Sequence, residues 1–131
     1  MGAWLIPFAA VGLGAALGAW ARWGLSLWLN PIAATLPLGT LAANLVGGYG
    51  VGLAVAWFDS HAAIAPEWRL FAITGLLGGL TTFSTFSAEV VQQLLRQQYG
   101  WALATAALHL FGSLAMTALG MATVRGWGGA V

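Results

Sequence analysis

Four stretches of this chain are each long and apolar enough to cross a lipid bilayer, and together they leave almost nothing over. They cover residues 4–29, 38–58, 68–95 and 101–124, and a helix needs about 20 mainly apolar residues to cross the hydrocarbon. In that solvent every backbone amide must find an internal partner, so each stretch is confined to helix. Composition agrees: 60% of the residues are hydrophobic and 5% are charged, with a mean hydropathy of +0.87, too little polar surface to coat a water-soluble globule. The expectation is an all-α membrane protein, one transmembrane domain over residues 1–131 with four spans. A cleaved leader is not expected, because no basic segment precedes the first apolar run and that run outlasts a leader's apolar core.

The connections are short. Asn30-Pro31 to Pro37 supplies the first turn, since each proline removes a backbone donor and biases its predecessor out of helix. Asp59 to Pro66 supplies the second and Gln97 to Gly100 the third, so each helix packs antiparallel to its sequence neighbour. Trp4, Trp28, Trp57, Trp68, Trp101 and Trp127 fall near the predicted ends, where amphipathic rings anchor at the headgroups. Gly14 with Gly18, Gly48 with Gly52, and Gly112 with Gly120 form small-residue faces that let helix backbones approach closely.

Charge sets orientation in membranes through a Lys/Arg excess on the cytoplasmic side. Here Arg69 and Arg125 lie towards one side, and Arg22 and Arg96 towards the other. A chain without that bias can insert both ways, and two opposite copies pair as an antiparallel homodimer about a two-fold axis in the membrane plane. The alternative is one topology decided by other features or by a partner. The net charge of +1 excludes a nucleic-acid footprint, and the absence of cysteine excludes disulfides and thiolate metal sites. Two histidines with three carboxylates give a metalloenzyme little support, and Asp59, His61 and Glu67 belong to a solvated loop.

The third stretch departs from a uniform helix. Gly75, Gly78 and Gly79 cluster near its centre and are followed by the β-branched Thr81 and Thr82, a poor combination for continuous helix. A helix broken near the centre of that span releases carbonyls that coordinate a cation and amides that bind an anion. The competing reading is an intact helix with a glycine packing face. Phe83 and Phe86 share a helical face and are interleaved with Ser84, Thr85 and Ser87, so ring edges and hydroxyls together can line an anion path. Asn44, at mid-depth of the second span, needs a polar partner, either another helix or a permeating species. Thr105, His109, Ser113 and Thr117 recur every four residues and build a polar stripe on the fourth span. Arg22 and Glu89 are the ionisable groups within spans, where a charge is costly unless it snorkels or pairs; each is a vestibule candidate.

These residues resemble a known family. Gly18-Ala19-Trp20-Ala21-Arg22-Trp23, Gly39-Thr40-Leu41 with Asn44 and Gly47, and above all Gly75 to Phe86 are similar to the signatures of the CrcB/Fluc fluoride channels. The resemblance implies a dual-topology antiparallel homodimer in the inner (plasma) membrane, with two fluoride pores and a structural sodium ion (Na+) on the axis. Carried onto this chain, it makes Phe83 and Phe86 the pore aromatics, Asn44 the pore amide, and Ser113, with His109 and Thr117, the lining of a polar track; Ser84, interleaved with the two rings, joins the pore candidates on its own position. It places Arg22 at the vestibule, where position alone also puts Glu89, two turns past the break, and gives the sodium the backbone carbonyls of Gly78 and Thr81 from both subunits. Trp23 stands where the family often carries tyrosine. The implied partners are fluoride, a second copy of the chain and membrane lipid.

Two other functions fit parts of the pattern. A small proton-coupled exporter would use Glu89 as the alternating carboxylate, and a structural helper of a larger complex would use the polar stripe as interhelical glue. The physics favours a channel: fluoride is small and strongly hydrated, and a row of weak donors without fixed charge replaces its water without trapping it.

Overall fold

The computed structural model describes residues 2–128, which form helices and turns with no strand among them. Helix α1 (Leu5–Leu29) runs into a 3-10 turn at Asn30–Ile32, and α2 spans Leu38–Ser60. The third stretch begins with Pro66 at the first position of α3 (Pro66–Arg69), continues as π-helix over Leu70–Leu77, and closes in α4 (Gly78–Leu80). Helix α5 (Phe83–Leu95) follows after two extended residues, and α6 covers Tyr99–Gly128. Four segments, Leu5–Ile32, Leu38–Ser60, Pro66–Leu95 and Tyr99–Gly128, are long and apolar enough to cross a membrane.

Local chemistry explains the turns. Pro37 is extended ahead of α2, and Asn30 reaches across the turn so that its Oδ1 accepts from the Gly39 N–H at 2.7 Å, satisfying one of the orphan amides of the α2 N-terminus. The α5–α6 reversal is tighter than the expected Gln97 to Gly100 turn, and Gly100 is already helical. Gln97 takes a left-handed φ of 58°, the Gln98 N–H bonds back to Gln93 O at 2.9 Å, and the Gln97 N–H bonds to Leu94 O at 3.0 Å. This is a Schellman closure with glutamine where glycine is usual, and it completes the reversal before Gly100 is reached.

Packing inverts the pattern of a soluble protein. The buried positions are small or polar, among them Gly14, Gly18, Thr40, Ala43, Asn44, Gly52, Thr105 and His109, while Trp20, Leu27, Phe83 and Leu103 point outward. In lipid, helices associate through close backbone contact and interhelical hydrogen bonds. Two glycine crossings fix the bundle. A Cβ on Gly75 would stand 2.9 Å from the Gly14 Cα, and one on Gly120 would stand 3.0 Å from the Gly52 Cα. The first crossing joins α1 to the π-helical segment, and the second joins α2 to α6.

The third stretch therefore has two sets of neighbours. Its first half, from α3 to α4, packs along α1, whereas α5 packs on α6. The two extended residues lie where the chain changes partner.

Candidate functional site

At Thr81 and Thr82 the backbone leaves the helix, with φ, ψ of −84°, 153° and −150°, 124°. Buried amides cannot be left unpaired, and the side chain of Asn44 supplies the replacement. Its Oδ1 accepts from the Thr82 N–H at 2.7 Å, and its Nδ2 donates to Thr82 O at 2.9 Å, so one carboxamide pairs both polar groups of one residue as a neighbouring strand would. The second amide hydrogen goes to Nδ1 of His109, also at 2.9 Å. Asn44 is buried at 8% exposure and His109 at 3%, and all the amide's donors are engaged.

The consequence lies in which helical bonds are diverted. In a continuous helix the Thr82 N–H would bond to Gly78 O and the Thr85 N–H to Thr81 O. The first instead serves Asn44, and the second bonds to Thr82 Oγ1 at 3.1 Å, an N-cap for α5. The carbonyls of Gly78 and Thr81 are thereby deprived of their helical donors. The Thr81 hydroxyl turns back to Leu77 O at 2.8 Å, and Arg22 Nε donates to Gly79 O at 3.1 Å, placing a cation at the carbonyl end of α4.

A cavity of about 390 Å³ lies against this interruption, lined by Asn44, Thr81, Thr82, Phe83, Phe86, His109, Ser113 and Thr117 with Leu110 and Leu114. The rings of Phe83 and Phe86 meet edge to face at 5.5 Å and 80°, and Phe86 stacks on the His109 imidazole at 4.5 Å and 21°. The stripe on α6 faces α2 in register: His109 meets Asn44, and Thr117 Oγ1 donates to Gly48 O at 3.0 Å. Ser113 Oγ makes no hydrogen bond within the described residues, and His109 Nε2 is buried without a partner among them.

Most of the residues singled out from sequence thus meet at one place: Asn44, Thr81, Phe83, Phe86, His109, Ser113 and Thr117 share the cavity. Ser84 does not line it; exposed beside Thr82, its hydroxyl lies 3.4 Å from Thr82 Oγ1. Gly78 is exposed on the surface of the chain. Glu89 is also outside the cavity, where its Oε1 accepts from the Thr40 hydroxyl at 2.6 Å while its Oε2 is buried without a partner among the described residues. Of the residues expected in the second loop, Asp59 lies in the last turn of α2 and Glu67 in the first turn of α3; Asp59 pairs with Arg69 of α3 at 2.9 Å, both exposed, and His61 stacks on Trp57.

Three polar residues of this region had not been singled out as functional. Thr40 holds Glu89, Thr82 is the counterpart of Asn44, and Gln93 is buried with its Nε2 on Thr35 O at 2.9 Å, while Thr105 of the polar stripe is fully buried and does not line the cavity. A signal existed for two of them. Thr82 precedes a helical segment as N-caps do, and Gln93 lies one turn beyond Glu89 on the same face.

A family model described as "CrcB-like protein, Camphor Resistance (CrcB)" matches residues 9–121. The chain is 64% identical over 120 residues to a protein of Cupriavidus taiwanensis named "Fluoride-specific ion channel FluC", covering 92% of this chain and 95% of the relative. A protein of the same name from Cupriavidus necator is also 64% identical with the same coverage, and one from Burkholderia cenocepacia is 60% identical over 118 residues, covering 90% and 92%.

Proposed function

The chain belongs to the CrcB family, and from that membership we propose that it is a fluoride-selective passive channel of the inner (plasma) membrane that lets cytoplasmic fluoride out. Its relatives are named as ion channels, and conduction rather than catalysis is the work of the site. The observation that carries the reading is the clamp of Asn44 on Thr82, which holds a helix open at mid-span beside a cavity lined by rings and hydroxyls.

The two faces of the interruption suit opposite charges. Helix α5 presents its N-terminus there, and amides at such an end attract an anion. The wall groups are weak: the rings of Phe83 and Phe86, the uncommitted Ser113 hydroxyl and the unpartnered His109 Nε2. Fluoride held by several such groups, none a fixed charge, can enter and leave again. Asn44 and Thr117 form the wall while their own donors bond to protein, and Ser84 stands at the exposed edge beside Phe83. Arg22 and Glu89, both outside the cavity, serve the approach to the path.

The same geometry supports an antiparallel dual-topology homodimer with one path in each copy. Gly78 and Phe83 lie exposed at mid-span, Phe83 at 78%, and the arginines show no side preference. The deprived carbonyls of Gly78 and Thr81 fit a sodium ion, a hard cation that takes oxygen ligands, and two copies would offer it twice the oxygens at an axis. Bound there, the ion would supply positive charge that ties the interruptions of the two copies together.

Fluoride efflux from liposomes containing the purified protein tests the reading, with potassium movement and internal pH controlled separately. Rapid electrogenic efflux that excludes chloride is expected, and obligatory proton movement in fixed ratio would reject a channel. Phe83→Ile and Phe86→Ile are each expected to reduce flux at least tenfold while the dimer still forms; unchanged flux in both removes the rings from the path.

A further inference from the structure

The orientation of the Asn44 carboxamide is not free. The Thr82 N–H can only donate and the Thr82 carbonyl can only accept, so the 2.7 Å and 2.9 Å contacts fix which end of the amide is oxygen. The remaining Nδ2 hydrogen then faces His109 Nδ1 at 2.9 Å. An amide N–H does not accept a hydrogen bond, so Nδ1 must present its lone pair and the ring proton must sit on Nε2. His109 is 3% exposed, and its Nε2 has no partner among the described residues that would favour the other tautomer. The stack on Phe86 fixes the plane of the ring, and the 2.9 Å contact to Asn44 Nδ2 fixes which edge of it faces the amide.

We propose that His109 is a positioning residue for the ion path: as the neutral Nε2–H tautomer it accepts the second amide hydrogen of Asn44 and so holds that carboxamide on the Thr82 backbone. The inference rests on the site being an ion path. A proton added at Nδ1 would set two N–H groups against each other across the Asn44–His109 contact, and one must withdraw. If Asn44 turns away, both of its bonds to Thr82 are lost. The nearest replacement acceptor for the Thr82 N–H is the carbonyl of Gly78, its ordinary helical partner, and pairing with it would knit helix across the interruption.

The titratable and charged groups of the packed elements are few. Helix α2 carries Tyr49 and Asp59, more than one turn beyond Asn44, and α5 carries Glu89, with Arg96 just past its end. Glu89, one turn from Phe86 and bonded to Thr40, is the control. On α6 itself Tyr99 and Arg125 lie towards the two ends.

The test is the ratio of fluoride efflux at about pH 8 to that at about pH 5, symmetric across the liposome membrane. In the wild-type protein efflux is expected to fall at least fivefold at the acid end, and Glu89→Gln is expected to keep that fall. His109→Asn sets a carboxamide oxygen near the place of Nδ1, an acceptor that cannot be protonated; whatever its basal flux, the ratio is expected to approach one. His109→Ala, lacking any acceptor, is expected to conduct less than His109→Asn at pH 8. A flat wild-type profile, an acid response that survives in His109→Asn, or its disappearance in Glu89→Gln overturns the proposal. Nitrogen-15 NMR of the wild-type imidazoles, with His61 removed by His61→Gln, reads the tautomer directly, and a protonated Nδ1 at pH 8 also overturns it. Absence of fluoride flux from the wild-type protein at pH 8 would instead reject the channel reading and leave the tautomer result standing.

Discussion

Replacing Asn44 by leucine keeps the number and branching of the side chain's heavy atoms and removes every polar atom of the clamp. Three groups then lose their partners: the Thr82 N–H, the Thr82 carbonyl and His109 Nδ1. An unsatisfied buried group costs about 1–3 kcal/mol, which would put the total at roughly 3–9 kcal/mol. Two effects bring it down. Interhelical hydrogen bonds inside membranes measure about 0.6 kcal/mol on average, and the Thr82 N–H can return to Gly78 O as helix. The expected loss is therefore about 2–3 kcal/mol, with flux falling far more steeply than stability because the path itself is closed. Reversible unfolding in mixed micelles measures the first quantity and liposome efflux the second. A leucine variant within about 0.5 kcal/mol of wild type that still conducts fluoride would show that the carboxamide does not hold the interruption open.

Other substitutions separate packing from capping. Gly75→Ala places a methyl 2.8 Å from Val11 O and is expected to cost about 1–3 kcal/mol, whereas Gly24→Ala, with open space around it, is expected to be neutral or stabilising; thermal unfolding in detergent compares them. Gln97→Gly relieves the left-handed φ of 58° and is expected to raise stability by up to about 1 kcal/mol in the same assay. Glu89→Gln preserves an acceptor for the buried Thr40 hydroxyl and is expected to unfold as wild type does, while Glu89→Leu strands that hydroxyl at about 1–3 kcal/mol.

What could be read in the sequence follows from what lipid demands. Four spans were legible because hydrocarbon forces continuous apolar helix, and the glycine faces because small residues are what membrane helices pack with. Gly14, Gly18, Gly48 and Gly52 do stand at interhelical contacts. Residue type and depth marked Asn44, Phe83, Phe86 and His109 one by one as polar or aromatic exceptions within spans, and only the family resemblance implied that they share one path. The partnerships were not. Nothing along the chain says that Asn44 bonds to a backbone rather than to a side chain, or that Arg22 reaches Gly79 O, because both depend on how distant helices approach. Gln97 escaped for another reason: glycine is the usual residue for that conformation, and Gly100 stood close enough to draw the turn towards it.

The clamp also has an order in time. Chains are made from the N-terminus, and Asn44 lies in the second span, Thr82 in the third and His109 in the fourth. The amide is thus already synthesised when the Thr82 backbone emerges, and the pairing that keeps the third span from closing into one helix needs only those two spans. Its last hydrogen waits for α6. Until that helix arrives one Nδ2 hydrogen has no acceptor from the fourth span, so both halves of the clamp are synthesised before the residue that locks it.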